Sequence, residues 1–460
     1  MLVPAELSVR ERLAREILRC RRDPYEFFLR AARTEAGRPV RPTAVHRAWM
    51  GHFNAHNNVV LFAPVAHGKA LPLDTPIATP TGWTPLGELQ VGDLVLGGDG
   101  LPTAVTYVSP TYTDHEVIEF TFDDGARLCS DMDHQWSAWT VNDRGEGKAP
   151  RTVTTRDIVS KFTRANGQRY WSIPLAGPAE RPERDLPVHP YVLGAWLGDG
   201  NSPDARITCC DADEAVVLRC IELEGGRCGQ RVYQPGTQTF TQLVGATSVR
   251  GAARTHNSLK DRLRGLGVLR DKHVPEPYLL ASVDQRRDLL AGLMDTDGSV
   301  SRNDGRLEFC NTNEELAHQV LELTRSLGFK STLIVGDAML DGRVVGKKYR
   351  VCWCHPDAVF CLPRKDAVHR SWAQRVSERR VSDESVKRGR VPRYTWSART
   401  ITDWCRVPSV PVRCIGVAAG HHTYVATNQY IVTHNTMIIT IWRLIWEIGN
   451  NPDIRIAVIS

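Results

Sequence analysis

The stretch Val59-Val60-Leu61-Phe62-Ala63-Pro64-Val65-Ala66-His67-Gly68-Lys69 stops in the middle of a motif. Its apolar run, 59–63, suits a buried strand. A loop ending in Gly68-Lys69 then opens as a phosphate-binding loop does. Such a loop next requires a Ser or Thr hydroxyl, to hold the magnesium bridging the nucleotide phosphates, and then a helix. Here Ala70 follows, and after it Pro-rich, strand-like sequence. The missing continuation stands at the far end. Thr436 leads into the apolar-rich, helical stretch 437–447, a turn at Gly449-Asn450-Asn451-Pro452 and a second buried strand over 454–460. Removing residues 70–435 joins Lys69 to Thr436 and rebuilds an A-x-x-x-x-G-K-T loop, with Ala63, Gly68, Lys69 and Thr436 as its nucleotide-binding residues. The strand–loop–helix–strand order is that of a P-loop α/β unit, with ATP and Mg²⁺ as cofactors of the joined protein. Unjoined, the loop lacks its hydroxyl and is not expected to hydrolyse ATP.

A chain of 460 residues has room for two to four domains. With 42% hydrophobic and 24% charged residues the composition is globular, and a net charge of +6 permits nucleic-acid binding without demanding it. The N-terminal sequence MLVPAELSVRERLAREILRCRR is charged and reads as a helix over 9–21 capped by Ser8, ended by Pro24, and not as a secretory signal. No apolar run has membrane-spanning length, so no membrane partner is expected. The 12 cysteines then read as thiols in a reducing cytoplasm. Cys352-Trp353-Cys354-His355 has half the look of a zinc site, but no second ligand pair follows at suitable spacing, and alternating strand residues are the better reading.

The excluded segment has β-rich, Gly/Pro-punctuated ends. Leu71–Trp83 and Leu86-Gly87-Glu88-Leu89-Gln90-Val91-Gly92-Asp93 open it. Val412-Arg413-Cys414-Ile415-Gly416-Val417, His422-Thr423-Tyr424 and Ile431-Val432-Thr433-His434-Asn435 close it. These blocks resemble those of inteins, which excise themselves and ligate their flanks without a cofactor. The resemblance implies an all-β Hint-type splicing fold in two halves, 70–185 and 361–435, with both junctions side by side. It also implies roles. Asn435 cyclises to a succinimide and severs the Asn435–Thr436 bond, His434 and His422 assist that step as proton donors or polarisers, and Thr436 Oγ is the acyl acceptor. The splice junction at the other end is Lys69–Ala70.

Ala70 carries no nucleophile, whereas most inteins begin with Cys or Ser. Either the element is inactive or the nucleophile lies elsewhere. His134-Gln135-Trp136, Cys414, and Thr433 before His434-Asn435 together resemble the Trp–Cys–Thr triplet of the intein class without an N-terminal nucleophile. In that class the internal thiolate, here Cys414, attacks the Lys69–Ala70 carbonyl and makes a branched thioester, with His134 protonating the departing Ala70 amine. Taken alone, Cys414 reads as a small buried hydrophobe; Ala70, Trp136 and Thr433 together favour the nucleophile. Asp131 departs from the pattern, standing where inteins usually have Thr.

The middle, 186–360, differs in character. Val192-Leu193-Gly194-Ala195-Trp196-Leu197-Gly198-Asp199-Gly200 and Leu290-Ala291-Gly292-Leu293-Met294-Asp295-Thr296-Asp297-Gly298 resemble the paired signatures of LAGLIDADG homing endonucleases, an α+β class. Small residues on one face allow two helix backbones to approach closely. Gly200 and Gly298 suit left-handed caps, delivering Asp199 and Asp297 to neighbouring helix ends. Adjacent carboxylates repel unless a cation bridges them, which makes both Mg²⁺ ligands for cutting double-stranded DNA. Lys272 matches the family's basic residue, and Lys330 is a weaker second candidate. The strands 205–210 and 348–354 are expected to lie in the DNA groove, and the basic stretch 364–393 reads as a further DNA contact or a solvated linker.

The flanks, 1–69 and 436–460, resemble the start of a phage terminase large subunit. The helical N-terminus, His46-Arg47-Ala48-Trp49 and the variant loop carry that resemblance, with Ala63 where Gly is commoner. It implies phage packaging machinery as the partner and a phage-infected bacterial cytoplasm as the location. The competing readings are a packaging ATPase with a splicing-inactive insertion that never leaves, and a domain that cleaves without ligating.

Overall fold

The computed structural model describes residues 70–245, 258–382 and 397–434. The chain divides into two compact units, Met1–His67 with Thr436–Ser460, and Gly68–Asn435. The described residues belong to the second. The joined-loop residues Ala63, Gly68, Lys69 and Thr436, the terminal Asn435 and residues 383–393 of the basic stretch lie outside them.

The first lobe of this unit is a β frame. Alternation drives its main sheet. In strand Val117–Phe122 the side chains of Ile118, Phe120 and Phe122 are buried, and in Gln135–Thr140 those of Trp136 and Ala138 are. Six strands follow in the order Arg127–Asp131, Val117–Phe122, Arg399–Val407, Trp171–Ile173, Gln135–Thr140, Arg151–Thr154. A four-stranded sheet runs Ile431–His434, Thr423–Ala426, Pro76–Ala78, Trp83–Pro85, and a three-stranded one Ile415–Val417, Pro102–Val108, Leu94–Leu96. The short strand Leu71–Pro72 pairs with Val412–Arg413. Every one of these sheets takes strands from both ends of the segment, so neither half can close a core alone.

The second lobe is α+β. Its centre is a pair of helices, Pro190–Asp199 and Val283–Thr296, the latter begun by a capping box of Ser282 and Gln285. A Cβ on Gly194 would come within 2.9 Å of Leu293 N, and one on Gly292 within 2.7 Å of Ala195 N while colliding with Tyr191 O. Only hydrogen fits there, as the small-residue face requires. Each helix feeds a sheet: Arg206–Cys210, Thr239–Val244, Cys228–Tyr233 after the first, and Gly298–Val300, Leu307–Asn311, Arg343–Trp353, Thr332–Leu340 after the second. The strands expected at 205–210 and 348–354 are found as Arg206–Cys210 and Arg343–Trp353, and Cys352 and Trp353 end the latter.

The caps differ from expectation. Gly200 is extended, with φ −73° and ψ 145°, and Gly298 opens a strand with no positive φ. Glycine is needed for space: a Cβ on Gly200 would strike the carbonyl and indole of Trp196, and one on Gly298 the last turn at Met294. Residues 361–382 also depart from a solvated linker. Helix Pro363–Ser382 packs on this lobe, with Arg364 paired to Asp213, His369 Nε2 within 2.9 Å of the His355 carbonyl and Trp372 beneath Gly305.

Buried charge ties the lobes together. Arg399 donates to Asp124 Oδ2 at 2.6 Å and to the carbonyls of Gln429 and Tyr430. Arg325, on helix Glu314–Ser326, donates to Asp124 O at 2.8 Å. Arg286 reaches Ala179 O across the same boundary and Ser326 within its own lobe.

Candidate active sites

The junction site is built on strand register. Leu71 pairs with Arg413 and Pro72 with Val412, antiparallel. Continuing that register by one residue sets Ala70 opposite Cys414. Both are buried, at 1% and 2% exposure. Cys414 is fixed through its backbone, its N–H donating to Ser109 Oγ at 3.0 Å and its carbonyl accepting from Ser109 N at 2.9 Å. No disulfide forms among the described cysteines.

His134 and Trp136 enter on the frame's main sheet. His134 Nε2 is hydrogen-bonded to Thr433 Oγ1, which links the first half of the frame to its last strand, Ile431–His434. Trp136 donates its indole N–H to Thr155 Oγ1 at 3.0 Å and sets its ring edge against His134, centroids 5.2 Å apart. It is wholly buried with Phe120 and Phe122. Trp136 thus orients the imidazole from behind. The predicted residues Ala70, His134, Trp136, Cys414 and Thr433 all fall at the edge where the two halves meet. His434 lies 3.5 Å through Nε2 from Thr152 Oγ1, and the rings of His422 and His434 are 6.4 Å apart. His422 holds φ 51°, a left-handed conformation uncommon for a residue with a Cβ.

Asp131 carries more of this site than its sequence position implied. Its N–H donates to Ala70 O at 3.0 Å, and its buried carboxyl is 3.0 Å through Oδ2 from His115 Nδ1. Oδ1 is buried without a hydrogen-bond partner. Burial pushes this carboxyl above the usual range, opposed by His115 and by the adjacent Ala70 backbone amide. His115 carried no motif and was not foreseen.

The second site stands where the paired helices end. Asp199 closes one helix and Asp297 caps the other. The protein packed around Asp199 and the Asp297 carboxyl push Asp199 up to about 6, and burial raises Asp297 as well. Asn311 Nδ2 donates to Asp297 Oδ2 at 2.8 Å. Lys272 donates to Gly198 O at 2.9 Å beside the Trp196 ring, and burial lowers its pKa. A pair of mutually repelling carboxylates with raised pKa values fits a divalent cation, which removes the repulsion.

Lys330 is a correction: it pairs with Asp123 of the β frame at 2.6 Å. Its place beside the second helix is taken by Lys365, whose buried Nζ donates to the carbonyls of Met294, Asp295, Thr296 and Gly298 at 2.6–3.1 Å. Both carboxylates feel Lys272 and Lys365. Sequence reading missed Lys365 because it stands in a basic run whose fold the periodicity did not reveal; an approximate repeat of one lysine per signature was the available signal.

Comparison with known proteins bears on both sites. The LAGLIDADG-like domain family matches residues 284–352. A replicative DNA helicase DnaB of Mycobacterium intracellulare is 34% identical over 397 residues, covering 83% of this chain and 61% of that protein. Another, of Mycobacterium leprae (strain TN), is 41% identical over 78 residues, 17% of this chain and 13% of that one. This chain therefore spans about three fifths of the first relative. A likeness over 83% of the chain falls mostly within residues 70–435, because the flanks are short. Among solved structures, the MchDnaB-1 intein is 34% identical over 23% of this chain and 66% of its own, with a TM-score of 0.17. Mesophilic variants of the homing endonuclease I-DmoI are 17% identical over 36% of this chain and 88% of their own, with a TM-score of 0.25. The sequence around the second signature helix thus matches the LAGLIDADG-like domain family over residues 284–352.

Proposed function

We propose that residues 70–435 excise themselves and ligate Lys69 to Thr436, and that the inserted lobe cuts double-stranded DNA at a specific site. The observation that supports the splicing reading is the pairing of Leu71–Pro72 with Val412–Arg413, a register that, carried one residue further, sets Cys414 opposite Ala70. Cys414 is the nucleophile that takes the acyl group of Lys69, and Thr436 Oγ receives it next. Cyclisation of Asn435, assisted by His434 and His422, frees the insert, and the Thr436 amine converts ester to amide. His134 and Thr433, hydrogen-bonded to each other, tie the first half of the frame, which begins at Ala70, to the strand that leads to Asn435.

In the endonuclease Asp199 and Asp297 would hold Mg²⁺. When bound, Mg²⁺ would supply the positive charge that acidifies water and offsets charge on a phosphodiester oxygen. Lys272 and Lys365 fix the helix ends that present the two carboxylates and supply positive charge beside them. The host is a P-loop ATPase whose loop is completed only by ligation; the flanks favour a phage terminase large subunit. The helicase relative favours a DnaB host as a second reading, although most of that likeness falls in the insert.

Intact-mass analysis of the expressed chain tests the proposal. It expects a free insert, a ligated product of the two flanks and a branched species that Cys414→Ala abolishes. Unchanged products in Cys414→Ala would restore the inactive-insertion reading.

A further inference from the structure

The Ala70 nitrogen is the leaving group of the first step, and it must gain a proton as its bond to Lys69 breaks. The group holding Ala70 on both sides is Asp131: its N–H donates to Ala70 O at 3.0 Å, and its carboxyl lies against the Ala70 N–H. That carboxyl is 2% exposed, with Oδ1 unpartnered and Oδ2 on His115 Nδ1 at 3.0 Å. His115 is 25% exposed and stacks on Tyr112, ring centroids 5.3 Å apart, so it joins the buried carboxyl to water.

Resting on the reading of Cys414 as nucleophile, we infer that Asp131 is the acid that protonates the departing Ala70 nitrogen and that His115 is the positioning residue that resupplies its proton. This assigns to Asp131 the role expected of His134, whose Nε2 is engaged by Thr433. The step balances. The Cys414 thiolate, its proton already lost to solvent, forms the S–C bond to the Lys69 carbonyl carbon. The C–N bond breaks with its electron pair on nitrogen, which takes the proton from Asp131. His115 passes a proton to the carboxylate and recovers one from water. Burial favours the protonated carboxyl needed for this task. The other groups facing it are Tyr112 and Asp133.

The test measures, in the full chain, the rate of branched-species formation in Asp131→Asn, Asp131→Glu and His115→Ala. Asp131→Asn preserves shape and removes the acid, so its rate should fall about 100-fold or more. DNA cleavage and melting temperature should stay within the range of the parent, and Asp131→Glu should recover part of the rate. His115→Ala should fall about 10-fold and be restored by added imidazole, which has no effect on Asp131→Asn. A rate for Asp131→Asn within twofold of the parent overturns the inference. So does a loss matched by equal losses in DNA cleavage and melting temperature, which would report folding alone. Failure of the underlying reading is separate, since it appears in the parent and Cys414→Ala before Asp131 is altered.

Discussion

Trp136 illustrates how a residue can belong to a site without touching the reacting bond. Its ring fills the frame's core and its indole N–H is satisfied by Thr155. Trp136→Ala should cost about 3–5 kcal/mol through the cavity it leaves. Trp136→Phe should cost about 1–2 kcal/mol, keeping most of the volume while leaving the Thr155 hydroxyl one partner short. Urea denaturation measures both, and a Phe variant as unstable as Ala would show that the hydrogen bond outweighs the packing. At the second site the titration has a definite sign. Asp199 is pushed up to about 6, so protons compete with Mg²⁺ more strongly as pH falls through that value. Calorimetry in buffers of different ionisation enthalpy should find proton release on Mg²⁺ binding near pH 5–6 that fades above about 7. Asp199→Asn should remove DNA cleavage and leave excision intact. These residues were legible in sequence because each stood in a patterned block. His115 and Lys365 were not, because their importance comes from partners remote along the chain.

At the scale of elements, the two signature helices approach until backbone meets backbone. Gly292→Ala must push a methyl into Tyr191 O and Ala195 N. Overpacking of this kind costs about 1–3 kcal/mol. The larger expected consequence is functional: spreading the helices separates Asp199 from Asp297, so DNA cleavage should fall while the branched thioester still forms. Parallel assays of the two activities on one preparation check this. The small-residue face was readable because helical spacing alone puts Gly194 and Gly292 on it. The glycines after each helix were read for the wrong reason, since a sequence cannot tell a glycine needed for its φ from one needed for space. Here Trp196 and the Met294 turn occupy that space.

At the scale of the whole described unit, the two lobes share a buried ionic centre of Asp124, Arg325 and Arg399. The two arginines hold the Asp124 carboxyl below its usual range despite its burial. A depressed carboxyl stabilises fully above its unfolded pKa, near 4, and that contribution is lost as pH falls toward the lower folded value. Asp124→Asn leaves two buried cations uncompensated and should cost about 3–5 kcal/mol at neutral pH. The difference from the parent should shrink in acid below about pH 4. Because Arg399 also holds the carbonyls of Gln429 and Tyr430, ahead of the strand that leads to Asn435, the same variant should slow release at the C-terminal junction. Mass analysis of cleavage products against time measures that rate.

The sequence by itself proposed where the insert begins and ends, and it determined the two signature helices and the patterned blocks from which the candidate site residues come. Interrupted motifs, helical spacing and residue chemistry are local properties that survive in a one-dimensional text. The tertiary structure alone decided which strands pair, and so that Cys414 faces Ala70. It alone brought Asp131 to Ala70 and His115 to Asp131, Lys365 to the second helix end, and Lys330 to Asp123. Those contacts join residues separated by tens to hundreds of positions, and strand register and buried charge pairing are settled only when both partners are present in the folded core.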